Sequence, residues 1–275
     1  MLHFTKMHGL GNDYLYVYGT PPADAPALSR LLSDRHFGAG SDGMIWITPT
    51  ATPAADFGMR IFNADGSEAM MCGNGIRCVG KYVYDKGYTA KTSLVIETPA
   101  GLRTLTLHPD AIDRTKIESV TVDMGTAVVG EECPLAVCDQ TVSVVPVSVG
   151  NPHAVLFVDD AEHFPTDLLG QISMHPTFAD GVNAESAQIL SPTCIRMRVF
   201  ERGSGVTMAC GTGACAVCAA AVKQGFSPVD TPITVNLDGG ALRVTVSTDG
   251  SIRMTGEAVT VYDGAADIDS LIRKS

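Results

Sequence analysis

Short runs rich in apolar, β-branched and aromatic residues, some loosely alternating with polar ones, recur through most of the chain and predict strands. Such runs fall at residues 2–8 and 13–18, on either side of Gly9-Leu10-Gly11-Asn12, and at 44–48, 57–63, 93–98, 102–108 and 117–123. They return at 141–149, 154–158, 184–190, 194–201, 232–237, 241–247 and 252–261. A helical period is rarer. It predicts a helix over 27–33, one after Cys72, where Ile76, Val79 and Val83 recur and Gly87 stops it, and a short one from Pro165. Residues 213–222 hold only Gly, Ala, Cys and Val, with no charge until Lys223. A helix apolar all round is buried, and in a unit of strands it is most simply central, with the sheet wrapped around it. Residues 266–273 read as a short terminal helix that packs back on the first half. Turn-forming stretches at 21–26, 34–43, 48–55 and 63–67 separate the elements; the glycine-rich 34–43 reads as a tight connection.

The pattern occurs twice. Met71-Cys72-Gly73-Asn74-Gly75-Ile76-Arg77-Cys78 is echoed by Ala209-Cys210-Gly211-Thr212-Gly213-Ala214-Cys215, and Cys210 follows Cys72 by 138 residues, about half the chain. Met59-Arg60-Ile61-Phe62 matches Met197-Arg198-Val199-Phe200, and Asp42-Gly43 matches Asp180-Gly181. Gly11-Asn12 matches Gly150-Asn151, and Leu102-Arg103 matches Leu242-Arg243, with the drift of one or two residues that loop insertions produce. The expected fold is α+β: two pseudo-symmetric domains, each a curved, mostly antiparallel sheet around a central helix. The first spans 1–117 and the second 118–262, the boundary lying in a polar stretch, and the tail 263–275 is expected to pack on the first.

Composition narrows the function. A chain of 275 residues suits two domains, and 45% apolar residues suffice for two cores. The net charge of −11, with no Lys/Arg cluster, argues against a nucleic-acid partner. No apolar run approaches the roughly 20 residues of a membrane span, and the N-terminus lacks a signal peptide's apolar core. The expectation is a cytoplasmic protein whose eight cysteines are free thiols. A free cysteine is most often a small buried hydrophobe. That reading is applied to Cys78, Cys133, Cys138, Cys194, Cys215 and Cys218.

Cys72 and Cys210 stand apart, because each opens a helix at a repeated position. The N–H groups and positive dipole of a helix mouth lower a thiol's pKa and hold anions. Two such units facing one another would grip one carboxylate and set a sulfur on each face of its α-carbon. One thiolate would remove the α-proton and the other thiol would return one to the opposite face, a racemisation or epimerisation without cofactor or metal. A rival reading takes Cys210-x4-Cys215-x2-Cys218 as iron–sulfur ligands, but the intervening residues are helix formers and no fourth ligand is marked. Asn12, Asn63, Asn151 and Asn183 sit at turns, where asparagine is ordinarily structural. Arg202 follows a strand end and could pair with a carboxylate or be a solvated charge. His153 could be a base beside a thiol or a satisfied loop histidine, and Glu201 is equally open.

The chain resembles the diaminopimelate epimerases, of the cofactor-independent amino-acid racemase superfamily. The resemblance spans nearly the whole sequence. It rests on Lys6-Met7-His8-Gly9-Leu10-Gly11-Asn12-Asp13, Phe62-Asn63-Ala64-Asp65-Gly66-Ser67, Cys72-Gly73-Asn74-Gly75-Ile76-Arg77-Cys78, Gly150-Asn151-Pro152-His153, Glu201-Arg202-Gly203 and Ala209-Cys210-Gly211-Thr212-Gly213. It implies interconversion of LL- and meso-2,6-diaminoheptanedioate, for lysine and peptidoglycan synthesis, with Cys72 and Cys210 as the acid/base pair and His153 and Glu201 near the thiols. Asn12, Asn63, Asn151, Asn183 and Arg202 then match residues that hold the substrate, mainly its distal end. Gly73-Asn74 and Gly211-Thr212 match the backbone grip on the reacting carboxylate. Many family members are homodimers. A proline or hydroxyproline racemase is the nearer rival, but such a substrate needs no clamp for a distant amino-carboxylate. One position departs: some members carry glutamine where this chain has Gly43.

Overall fold

The computed structural model of the chain describes residues 1–268. These divide into two compact units: Met1–Val122 together with the chain from Gly256 onward, and Asp123–Thr255.

In the first unit β1 (Leu2–Gly9) forms a hairpin with β2 (Asn12–Tyr18), which crosses over α1 (Ala25–Ser33) to the parallel strand β3 (Gly43–Thr48). Next come β4 (Phe57–Asn63), antiparallel to β3, and the short β5 (Glu68–Ala69). The chain then enters α2 (Gly73–Asp85) and returns as β6 (Ser93–Thr98), parallel to β4. The antiparallel strands β7 (Gly101–Pro109) and β8 (Ile117–Thr126) follow. Gly73 to Val83 are buried without a break. The helix packs against the β1/β2 hairpin and against β7, which lies far from that hairpin in strand order, so the sheet must curl around it. α1 covers the other face: Leu28 and Leu32 pack with Leu15, Val17, Met44, Trp46 and Phe62.

The second unit repeats the plan. After β9 (Val128–Val129) and β10 (Cys133–Val137), β11 (Gln140–Ser148) pairs antiparallel with β12 (Pro152–Phe157). α3 (Thr166–Ser173) carries the chain to β13 (Asn183–Ser191), parallel to β12. β14 (Cys194–Glu201) and β15 (Gly205–Val206) lead into α4 (Gly211–Lys223). β16 (Ile233–Leu237) runs parallel to β14, and β17 (Gly240–Val246) and β18 (Ser251–Glu257) complete the run. α4 is buried from Gly213 to Ala221 and packs against β9, β11, β12, β13 and β17. Leu168, Leu169 and Ile172 of α3 cover the opposite face with Val182 and Phe200.

The α+β class and the wrapped central helices follow the sequence pattern. Each sheet is more mixed than expected, because every helical crossover joins parallel strands: β2/β3 and β4/β6, then β12/β13 and β14/β16. The single strand expected over 252–261 is two. Ala258, buried between them, ends β18, and β19 (Val259–Ala266) pairs along β1 from His8 to Leu2. Residue 266 therefore belongs to a strand, and Ile268 packs on the α1 face of the first unit. The rest of the terminal helix expected to 273 lies outside the described residues. The division after Val122 falls later than the expected 117/118, and the return to the first unit at Gly256 comes earlier than 262/263, since β19 belongs with β1.

Candidate active site

Each helix opens on its cysteine. Cys72, at φ −139° and ψ 113°, is the residue before α2, and its Sγ accepts from Gly75 N–H at 3.3 Å. Cys210, at φ −121° and ψ 110°, does the same for α4, accepting from Gly213 N–H at 3.4 Å. Extended backbone at a helix mouth lets a short side chain fold back onto the third N–H of the helix, the role usually taken by serine or aspartate. The two sulfurs thus occupy equivalent positions on equivalent elements.

Cys72 is tied to Asn12 and, through it, to a pair of carboxylates. Its S–H donates to Asn12 Oδ1 at 3.3 Å, and Asn12 is fixed by Nδ2 donating to Asp42 Oδ2 at 2.8 Å. Asp42 also accepts from Asp13 N–H, and Arg35 bridges Asp13 and Asp42. Tyr14 lies beside Asn12 and Cys72; burial, and then the nearby cysteine, push its phenol well up, so it stays a neutral hydroxyl. At the helix mouth Asn74 Oδ1 and Gly73 O accept from the guanidinium of Arg77, which is fully buried and also donates to Glu257 O. Asn63 closes the turn to Ser67, donating from Nδ2 to Ser67 Oγ at 3.0 Å. Cys78 is fully buried, and burial pushes its thiol up to about 11.

The surroundings of Cys210 are charged. Its Sγ lies 3.4 Å from Thr212 Oγ1. Thr212 Oγ1 accepts from Asn151 Nδ2 at 3.3 Å, and Asn151 Oδ1 lies 3.1 Å from His153 Nε2. His153 Nδ1 meets Glu185 Oε1 at 2.6 Å, both side chains fully buried. Glu201, at the end of β14, accepts from the Thr207 hydroxyl and lies near enough to Cys210 for the two to act on one another's charge. Burial, then the charge of Glu185, raises the Glu201 carboxyl above its ordinary value, against the pull of Thr207 and Cys210. The helix mouth does not by itself lower the Cys210 thiol. Burial, then Glu201 and Glu185, push it well up, and Thr212 and the Gly213 N–H only partly oppose them.

Of the remaining expected residues, Asn183 accepts from Arg202 N–H at 2.9 Å, and Arg202 Nη1 donates to Asp180 O at 2.7 Å. The guanidinium is thus tethered rather than loose. Cys215 and Cys218 are fully buried within α4, as core thiols, and no group of three or more His, Cys, Asp or Glu among the described residues is placed to hold a metal. Gly43 starts β3 where a Cβ would lie 2.3 Å from Phe62 O and 2.9 Å from Asn63 Cα. This backbone leaves no space for a glutamine. No described helix is long and apolar enough to cross a membrane.

Sequence reasoning missed Tyr14, Arg77 and Glu185. Glu185 had a signal: a lone acid inside an apolar predicted strand, where the first copy carries Ile45. Strand register makes the match explicit. Leu15 pairs Met44 as Ala154 pairs Ala184, so Tyr14 and Ile45 stand where His153 and Glu185 stand in the second unit.

The profile of the family described as "Diaminopimelate epimerase" matches residues 4–130 and 145–261. A diaminopimelate epimerase of Bacteroides thetaiotaomicron is 47% identical, covering 96% of this chain and 97% of its own length. That of Methanococcus maripaludis is 44% identical over 97% of this chain and 100% of its own. Among solved structures, a probable proline racemase from Agrobacterium radiobacter superposes with a TM-score of 0.77 at 17% identity, covering 98% of this chain and 94% of its own. A predicted epimerase from Pseudomonas aeruginosa gives 0.73 at 16% identity, covering 97% and 99%. These two share the fold alone; the sequence match, unbroken through both cysteine motifs, shows that the chain belongs to the diaminopimelate epimerase family.

Proposed function

We propose that the chain interconverts LL- and meso-2,6-diaminoheptanedioate by two-base proton transfer, with Cys72 and Cys210 acting on opposite faces of the same α-carbon and no cofactor. The observation that carries this reading is the repeat of one device: a cysteine capping a glycine-rich helix mouth in each unit. One thiolate takes the α-proton, and the C–H pair spreads into the carboxylate. The N–H groups at Gly73-Asn74 and Gly211-Thr212 meet that charge. The other S–H then delivers its proton to the opposite face, leaving the first sulfur protonated and the second as thiolate. Glu201, whose carboxyl and the Cys210 thiol influence one another, takes and returns the proton that arms the thiol. His153 acts in the same cluster. Asn12, Asn63, Asn151, Asn183 and Arg202 hold the substrate, largely by its distal amino-carboxylate. The reading includes a cytoplasmic homodimer.

The test is incubation of the diamino acid with protein in heavy water, without pyridoxal phosphate. Deuterium should appear at the α-carbon as LL substrate converts to meso product. Conversion without solvent deuterium, or none at all, would refute the two-thiol scheme. Sedimentation in dilute buffer would check the dimer.

A further inference from the structure

We propose that Glu185 is a positioning residue that keeps His153 doubly protonated and so fixes the direction of a hydrogen-bond chain ending on Cys210. The inference rests on Cys210 being an acid/base of the proposed reaction. His153 is 1% exposed, and each ring nitrogen faces an oxygen: Nδ1 the Glu185 carboxylate at 2.6 Å, Nε2 the Asn151 Oδ1 at 3.1 Å. A neutral imidazole has one N–H and one acceptor nitrogen; with Oδ1 of Asn151 turned to Nε2, the ring lies between two acceptors and would carry both protons. Glu185 Oε2 is buried without a hydrogen-bond partner. A carboxylate so placed keeps its charge only against a cation, and the group bonded to it is His153.

The rest of the chain follows from that ring. With Nε2–H donating to Oδ1, the Asn151 amide has one orientation, and its Nδ2 donates to Thr212 Oγ1 at 3.3 Å. Having accepted there, the Thr212 hydroxyl donates to Cys210 Sγ at 3.4 Å. The sulfur thus has two donors, Thr212 O–H and Gly213 N–H, ready for its thiolate. If His153 were neutral, the amide could flip, Thr212 could turn its proton to Asn151, and the thiolate would lose a donor. In the first unit Tyr14 and Ile45 stand in place of His153 and Glu185, and Cys72 donates to Asn12. Glu185 therefore makes the two thiols chemically unequal.

Nitrogen-15 NMR of the histidine rings at neutral pH tests this, the His153 signals being assigned by their loss in His153→Gln. In the wild type both His153 ring nitrogens should be protonated; in Glu185→Gln only one should be. Glu185→Gln should also lower kcat by about tenfold or more while KM moves less than about twofold, since the loss falls on the armed thiolate rather than on substrate contacts. A singly protonated His153 in the wild type overturns the inference, as does Glu185→Gln with wild-type kcat. The wild-type spectrum decides even if the variant fails to fold. A doubly protonated ring in a protein that exchanges no α-proton would instead sink the proposed reaction and leave this hydrogen-bond chain standing.

Discussion

Glu185 and Gly213 share one space: a Cβ on Gly213 would lie 2.8 Å from Glu185 Oε1. The glycine at the third position of α4 lets a buried carboxylate approach the helix mouth. In the first unit Gly75 leaves the equivalent space to Ile45, whose Cδ1 would lie 2.6 Å from an added Cβ. Gly213→Ala would push the carboxylate off His153 or press on Met197 and Cys210. It should cost about 1–3 kcal/mol of stability, as overpacked cores do, and reduce turnover as well. Urea unfolding and an epimerisation assay on one preparation would check both; unchanged stability and turnover would mean the carboxylate moves freely.

The duplicated half-chain was legible in the sequence because short alternating strands and apolar helix faces leave periods that need no tertiary context. Cys72 and Cys210 were legible because the copies align. What could not be read is what depends on pairing. β5, β9 and β15 are two residues each and carry no period. β18 and β19 share one apolar run, and only the pairing of β19 with β1 parts them. The exclusion of any side chain at Gly43 depends on a neighbouring strand's carbonyl. Arg77 sat within a motif yet read as an ordinary helix charge, because its full burial comes from the sheet closing over it.

Cys72→Ala and Cys210→Ala should each abolish epimerisation while leaving the fold intact. Either change removes a single sulfur at a helix mouth, and losing a capping side chain costs about 0.5–2 kcal/mol, less than the stability of a typical domain. Circular dichroism should therefore be unchanged. A serine at either place should also be poor, because its hydroxyl is a far weaker acid than a thiol at neutral pH. Stereochemical turnover near wild type in either alanine variant would remove the two-base scheme.

Glu201 should cost the protein stability at neutral pH. Burial raises its carboxyl above the ordinary 4.5, so the folded state holds this proton more readily than the unfolded chain. The resulting advantage to the fold is whole below the unfolded value and is lost as pH rises through the folded one. Glutamine never ionises, and Thr207 can still donate to its amide oxygen. Glu201→Gln should therefore be more stable than wild type at neutral pH, with the gap closing as the buffer is taken below 4.5, and should turn over poorly. A wild type that is the more stable protein at neutral pH would show that Glu201's partners outweigh its burial.

Arg77 ties the first helix mouth together. Its guanidinium, 0% exposed, donates to Gly73 O at 3.1 Å, Asn74 Oδ1 at 3.0 Å and Glu257 O at 3.2 Å. It therefore joins the first turn of α2 to the chain returning at the end of β18, two segments 180 residues apart in sequence. A buried acceptor left without its donor costs about 1–3 kcal/mol, and truncation also opens a cavity. Arg77→Ala should lose at least about 3 kcal/mol, enough to lower the urea midpoint markedly. Arg77→Lys should recover little, since one ammonium cannot span the geometry of a planar fork. Because Asn74 and Gly73 open the mouth beside Cys72, residual activity in the folded fraction should fall too, with KM rising before kcat. A lysine variant as stable as wild type would show that charge alone, rather than the guanidinium's reach to three oxygens, holds this corner.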